Sequence, residues 1–371
     1  MEFDRIAVCG SFGYGNAGDE AVPLALQDML QELGAELGVT AVSRFREGAL
    51  KDVTYLGAHD SERRKGLAGL PMLVSGGGVI EPNPAAVLFR ATPLFKAAPK
   101  GKAIVFGTSV EPGVPYGLRN RLRLFRSLSG LGTVYTRDLL SERSLNKVAP
   151  WVRTETIGDL VLWMKPQHDT PLLSAMSLPA RYVAVVLAPR WSQDAGWTNW
   201  VTGELAALAQ EMKAAIVFVP MSCLHDDDRV EHGRIAGLIA RQHEDVEVHN
   251  IMDALEPREV SAILARSALT VSMRLHGCVM AYSQRVPTVC IAYHPKLLGF
   301  SETMGCMPST LPRVPPERQS AGFYGYDFAE LRLQPGDLSA VASTAMGPGK
   351  HGRLDEFKTK SLAVLRQFLA R

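Results

Sequence analysis

Four side chains in SMRLHGCVMAYSQRVPTVCIAYHPKLLGF, residues 272–300, carry most of the chemistry available to this sequence: Arg274, His276, His294 and Lys296. A guanidinium meets phosphate or carboxylate through a bidentate fork, and an imidazole beside it exchanges protons near neutral pH. The apolar run LTVSM ends at Arg274 and His276, and the run PTVCIAY ends at His294 and Lys296. Two successive strands thus deliver two cations and two imidazoles to one sheet edge, and VVLAPR brings Arg190 to the end of a third. Any one of these residues alone reads as a surface side chain or a satisfied histidine. Their convergence reads as an anion site with a proton donor.

A second group surrounds two glycine-rich segments. In GSFGYGNAGDEA, residues 10–21, Gly10, Gly13, Gly15 and Gly18 let the backbone turn tightly, and the helix that follows offers unpaired amides. The spacing is not that of a dinucleotide fingerprint, and Asp19 and Glu20 stand where a pyrophosphate needs neutral amides. An acidic pair suits sugar hydroxyls, although Asp19 serves equally well as a helix cap. In VSGGGVI, residues 74–80, Gly76, Gly77 and Gly78 exceed what a tight turn requires and favour the close approach of a ligand. The stretch GLRNRLRLFRSL, residues 117–128, interleaves Arg119, Arg121, Arg123 and Arg126 with Leu122, Leu124 and Phe125. It reads first as a solvated helix face and second as peripheral contact with an anionic membrane surface, which would bring a lipid-linked ligand within reach. Asp226, Asp227 and Asp228 read as the solvated start of a helix.

These residues need strands and helices to hold them. Short apolar runs alternate with longer amphipathic ones: RIAVCG, then AVPLALQDMLQELG, VTAVS, PMLVSGGG, KAIVFG and TVYTR, and again from YVAVVLAPR through AIVFVP, VEVHN, LTVSM and PTVCIAY. Such alternation predicts an α/β fold with parallel sheets covered on both faces. Val201, Leu205, Leu208 and Met212 share one helical face. The expected organisation is an N-terminal α/β domain over 1–165, a linker over 166–180, a C-terminal α/β domain over 181–345, and a terminal helix within 346–371 that could return to the first domain. Two Rossmann-like domains facing each other would place their ligand crevice at the carboxyl ends of the strands. The stretch 305–335, rich in Pro, Gly and aromatics, reads as an irregular surface loop.

Composition narrows the class further. The 371 residues carry 40 Lys and Arg against 38 Asp and Glu, and a net charge of +2 gives no global pull toward nucleic acid. The five cysteines are widely spaced and suit reduced core thiols, and neither CxxC pairs nor HExxH suggest a metal. The N-terminus, MEFDRIAVCG, has neither the basic stretch nor the apolar run of a secretory signal, so a cytoplasmic protein is expected.

Taken in order, GYGNAGDEA, SGGG, Arg137-Asp138-x-x-Ser141, MRLHGCVMA and YHPKLLGF resemble the pattern of polysaccharide pyruvyl transferases, over nearly the whole chain. The resemblance implies a two-domain fold similar to the GT-B glycosyltransferase arrangement and phosphoenolpyruvate as donor. It also implies a pyruvate ketal on a hexose or hexosamine of an envelope or exported polysaccharide. By position it implies a donor pocket of Arg190, Arg274, Leu275, His276 and Lys296, with His294 and Arg137 as further binding candidates. His276 is then the acid, Asp19 and Glu20 are the catalytic carboxylates on the acceptor side, and Gly15, Asn16, Gly76, Gly77 and Gly78 shape that side. No metal is implied, and no cofactor beyond the donor substrate. Two departures stand out. His294 replaces a residue that is often Asp, and VIEPNP follows the triple glycine where relatives carry an aromatic and an acidic residue, with Glu81 as the nearest acid. Two other readings remain: a nucleotide-sugar glycosyltransferase of the same architecture, and a non-catalytic carbohydrate-binding protein.

Overall fold

The computed structural model describes residues 3–43, 54–57, 67, 69–82, 86–111, 116–224, 226–312, 326–347 and 351–371. The chain divides into two compact units. Unit 1 comprises Met1–Gly15, Asp19–Met164 and Arg353–Arg371, and unit 2 comprises Lys165–Gly352 together with the tripeptide Asn16–Gly18.

Unit 1 contains β1 (Arg5–Cys9), β2 (Gly38–Ser43), β3 (Thr54–Gly57), β4 (Met72–Ile80), β5 (Ala103–Val110), β6 (Thr133–Thr136) and β7 (Arg153–Thr156). They form one parallel sheet in the order β3-β2-β1-β4-β5-β6-β7. Ile6, Ala7, Val8 and Cys9 are all buried, the mark of a strand covered on both faces. Its helices include α1 (Ala17–Glu32), α2 (Val87–Ala97), α3 (Leu118–Leu128) and α4 (Leu139–Val148). Leu88, Leu94, Leu124 and Leu145 from the last three join Val74, Val105 and Val134 of the sheet in one core.

Unit 2 carries a parallel sheet of β8 (Tyr182–Val186), β9 (Ala215–Phe218), β10 (Val248–Asn250), β11 (Leu269–Ser272), β12 (Thr288–Ile291) and β13 (Thr310–Leu311), ordered β10-β9-β8-β11-β12-β13. Around it lie α5 (Pro171–Ala175), α6 (Ala195–Met212), α7 (Asp228–Gln242), α8 (Pro257–Ala265), α9 (Leu275–Ser283), α10 (Pro295–Met304), α11 (Phe328–Leu331) and α12 (Asp337–Ala345). The last helix, α13 (Leu354–Ala370), belongs to unit 1. Phe357, Ser361, Leu365 and Phe368 form its buried face, and the Trp163 indole donates to Ser361 Oγ at 2.9 Å. Among the described residues no helix is long and apolar enough to cross a membrane.

Each sheet reverses its strand order once, between β1 and β4 in unit 1 and between β8 and β11 in unit 2. Loops diverge at such a switch point and leave a crevice outside the carboxyl ends of the strands. The glycine-rich segments follow β1 and lie within β4, and Arg190, Arg274 and His276 follow β8 and β11.

Gly76, Gly77 and Gly78 lie inside β4, where register shifts against β5 let the strand continue through them. Two local expectations are corrected. Residues 166–180 are not a bare linker: they include α5, and Gln167 N donates to Arg258 O at 3.2 Å while Arg258 Nη1 donates to Lys165 O at 2.7 Å. The 305–335 stretch contributes the edge strand β13 and the short helix α11, and residues 313–325 within it lie outside the described residues.

Candidate active site

In unit 2 the chain leaves β11 and enters α9 at Arg274, which is the N-cap residue. Its guanidinium reaches Asp228 Oδ1 with Nε at 3.1 Å and Nη2 at 2.6 Å, and Nη2 also donates to Asp226 O at 3.0 Å. Asp228 is fully buried, and its other oxygen accepts from Met221 N at 3.1 Å and Ser222 N at 3.0 Å. The aspartates are therefore not a uniformly solvated helix start. Asp226 is exposed and Asp227 caps α7, but Asp228 holds Arg274. Burial alone would loosen the proton on Arg274, and Asp228, Tyr293 and Asp226 together more than reverse this, so the guanidinium is a fixed cation.

Tyr293 and Lys296 complete the basic cluster. The Lys296 Nζ sits 5.6 Å from the centroid of the buried Tyr293 ring. Burial would raise the Tyr293 phenol, but the charges of Lys296 and Arg274 outweigh it and hold the phenol below its ordinary range. Trp191 meets Tyr293 edge-on at 6.2 Å, next to the exposed Arg190 in the turn after β8. His294 is buried and caps α10, with Nδ1 accepting from Lys296 N at 3.2 Å. An imidazole thus does the capping that an aspartate does elsewhere, provided Nδ1 carries no proton. His232, on α7, is fully buried with Nε2 3.0 Å from Leu187 N, and burial followed by the Arg274 charge pushes it down to about 3. It is a neutral support beneath the end of β8.

His276 lies in the first turn of α9 and is buried. Its neighbour is Gly18: a Cβ built there would fall 2.2 Å from His276 Nδ1. The tripeptide Asn16–Gly18 is bound tightly to this unit. Ala17 N donates to Met221 O at 2.7 Å, Asn16 forms a bridge with Ser222, and Asn16 Oδ1 accepts from Gly18 N at 2.9 Å. Asn16 is therefore the side chain that receives an α1 amide, and Asp19 lies within the first turn instead of capping it. Leu275 is buried, so any polar role it has belongs to its backbone. Gly277 permits α9 to lie on β11, since a Cβ there would meet Ser272 Oγ at 2.4 Å.

In unit 1, Gly13 and Gly15 have φ of 81° and 67°, a region L side chains avoid. The Gly13 amide donates to the buried Glu20 carboxylate, which makes Glu20 a loop support. Asp19 and Arg137 flank Gly77: a Cβ on Gly77 would lie 3.7 Å from Asp19 Oδ1 and 3.5 Å from Arg137 Nη1. Gly76 has φ of 103° and precedes Gly77 and Gly78 in β4. Arg137 is buried and already committed, with Nε 3.2 Å from Asp138 Oδ2 and Nη1 3.8 Å from Asp159 Oδ2. Both carboxylates also accept helix-start amides, from Ser141 and Val161.

The structure thus gathers Arg274, Lys296 and Tyr293, sets His276 against Gly18, and places Arg137 with Asp19 and Gly77 in unit 1. Sequence reasoning missed Asp228, Tyr293, His232 and Glu111. Tyr293 was visible as the residue between the strand and His294, but the other three become apparent only through long-range pairing. Glu111 follows β5 as Glu81 follows β4, and Glu111 N donates to Ile80 O at 3.1 Å. Burial and then the Glu111 charge push Glu81 up to about 7, a value suited to proton exchange at neutral pH.

A family model described as polysaccharide pyruvyl transferase matches residues 16–295. UDP-N-acetylglucosamine 2-epimerase from Rickettsia bellii is similar at 12% identity, covering 100% of this chain and 97% of that one, with a TM-score of 0.53. UDP-GlcNAc 2-epimerase from Neisseria meningitidis, bound to UDP-GlcNAc, is similar at 12% identity, covering 96% and 100%, with a TM-score of 0.52. At such identities the likeness concerns the fold alone, two Rossmann-like parallel-sheet domains.

Proposed function

This chain belongs to the polysaccharide pyruvyl transferase family, and from that premise we propose that it transfers the enolpyruvyl unit of phosphoenolpyruvate to a sugar and closes a pyruvate ketal. The observation that carries the reading is the grouping of Arg274, Tyr293 and Lys296 after the neighbouring strands β11 and β12, with His276 on the helix that Arg274 caps. Phosphoenolpyruvate has a phosphate, a carboxylate and an electron-rich methylene. It asks for several fixed cations and one proton donor.

In this scheme Arg274, Lys296 and Arg190 hold the two anionic groups, and His276 in its protonated form gives a proton to the methylene, which becomes a methyl group. The central carbon takes on oxocarbenium character, and an acceptor hydroxyl adds to it and loses its proton to a base. The bond between the central carbon and the phosphate ester oxygen then breaks, and inorganic phosphate departs with the proton the first hydroxyl gave up, stabilised by the same cations. A second hydroxyl of the sugar adds, and the proton it loses balances the one His276 gave. The family resemblance assigns the base role to the acceptor-side carboxylates Asp19 and Glu20.

The test is calorimetric titration with phosphoenolpyruvate and with nucleoside diphosphates, using wild type, Arg274→Lys and Lys296→Met. Arg274→Lys keeps a cation beside Asp228, whereas truncation would leave that buried carboxylate uncompensated. The expected result is phosphoenolpyruvate binding weakened about tenfold, ~1.4 kcal/mol, by either substitution. Nucleoside diphosphate binding with no phosphoenolpyruvate binding would sink the reading in favour of a nucleotide-sugar enzyme.

A further inference from the structure

The helix α3 of unit 1 presents two apolar faces where a helix on a sheet needs one. Leu124, Ser127 and Leu128 are buried against the core. Leu118, Leu122 and Phe125 are exposed by 85%, 47% and 49%. At roughly 100° per residue these three fall within an arc of about 60° on the solvent side. The face continues beyond the helix: Trp151, 46% exposed, meets Phe125 edge-on at a centroid distance of 5.7 Å. Among the described residues, half of the exposed large hydrophobic side chains therefore lie in one patch, which scattered surface apolar residues do not do.

The rim of that patch has a single sign of charge. Arg119, Arg121, Arg123 and Arg126 are exposed on α3, and Arg153 is exposed two residues after Trp151. From Pro112 to Arg137 the sequence has no Asp or Glu. The net charge of the whole chain is only +2, so this concentration is local. A cavity of about 340 Å³ opens beside the end of the helix, lined by Lys96, Lys100, Arg126 and Arg371 with Ser127 and Ser129, and no acidic side chain is among its lining residues. Arg126 belongs both to the rim and to the cavity.

We propose that α3 and Trp151 form a docking face for an anionic lipid bilayer, with the apolar strip entering the headgroup boundary and the basic cavity receiving a lipid phosphate. The charge pattern selects this occupant. A second copy of the chain would bring the same arginines against each other, and a neutral apolar partner would leave the rim uncompensated. A short helix with Leu and Phe on one line and arginines on both flanks lies in an interface rather than across it. The inference does not depend on the reaction proposed above.

Sedimentation of the full chain with vesicles of phosphatidylcholine, with and without phosphatidylglycerol, tests it. Binding is expected to the anionic vesicles and to fall as salt rises, since each arginine near the surface contributes roughly fivefold in affinity. Leu118→Ser with Phe125→Ser should weaken it about tenfold or more, with circular dichroism unchanged and the thermal midpoint little changed, because Leu118 is 85% exposed and Phe125 meets the exposed Trp151 on that face. Lys100→Glu should weaken binding with the apolar strip intact. Absence of vesicle binding, binding indifferent to phosphatidylglycerol, or binding indifferent to both substitutions overturns the proposal. So does a concentration-dependent dimer that Phe125→Ser dissociates in the absence of vesicle binding.

Discussion

The carboxyl ends of the two sheets are built on the same plan and charged in opposite ways. Each has a switch point, and each has an arginine placed just after a strand next to a buried aspartate. In unit 1, Arg137 is shared by Asp138 and Asp159 and lies with Asp19 about Gly77, while Glu81 at the end of β4 faces Glu111. In unit 2, Arg274 is held by the buried carboxylate of Asp228 and is joined by Lys296 and Tyr293. The topology decides where side chains converge, and the burial of the carboxylates around each arginine decides what the place attracts: both partners of Arg137 are buried, whereas of the two around Arg274 only Asp228 is buried and Asp226 is exposed. A fully compensated arginine is structure, while one that is partly compensated and backed by a second cation still draws an anion.

The largest effect should come from breaking the two clamps in parallel. Asp228→Ala removes the buried partner of Arg274 and strands the Met221 and Ser222 amides, and should cost about 3–5 kcal/mol in denaturant unfolding. Asp159→Ala leaves Arg137 with Asp138 and should cost about 1–2 kcal/mol, mostly from the lost helix cap. Equal losses would mean that the two arginines are compensated alike.

Next come the glycines. Gly18→Ala forces a methyl group into the His276 ring position and should cost about 1–3 kcal/mol with loss of transferase activity. Gly77→Ala meets Arg137 and Asp19 only at ordinary contact distance and should stay within about 0.5 kcal/mol. Thermal unfolding of the pair decides, and similar losses would remove the distinction between a histidine held against bare backbone and an arginine that merely lies beside it.

Smaller effects test the charges. Glu81 binds its proton more tightly folded than unfolded, so its contribution to stability is fully present below the unfolded value and is lost as pH rises through about 7. Glu81→Gln should therefore gain stability on wild type between about pH 5 and about pH 8. A difference that stays flat with pH would show that Glu81 is not raised. Finally, ultraviolet titration should find one tyrosine ionising before the rest, and Lys296→Met should return it toward the others. No early phase would mean that Tyr293 does not feel the two cations.

How far the sequence led follows from the range of each signal. Strands such as RIAVC and YVAVV announce themselves because parallel strands buried on both faces admit no polar break. Arg274, His276 and Lys296 were legible for a related reason: a strand's end is local information. Asp228 was not legible. A run of three aspartates reads as solvent-facing, and only Arg274, 46 positions along, makes the burial of the third tolerable. The Glu81–Glu111 relation needs the register that puts Ile80 opposite Val110, which no pattern in either segment contains. The two-residue β13 is too short to show a period and was absorbed into a loop.

The tripeptide Asn16–Gly18 has a consequence for anyone who would take the molecule apart. The chain passes between its units at Gly15/Asn16, Gly18/Asp19, Met164/Lys165 and Gly352/Arg353, four times rather than twice. A fragment cut at the last two junctions would contain His276 but not the glycine it rests against, and the Met221 carbonyl would lose the amide of Ala17. The unit that holds the imidazole is thus not modular. Its histidine is seated by residues synthesised some 258 positions earlier, and in a severed fragment full seating would return only when that piece of the amino-terminal segment is supplied.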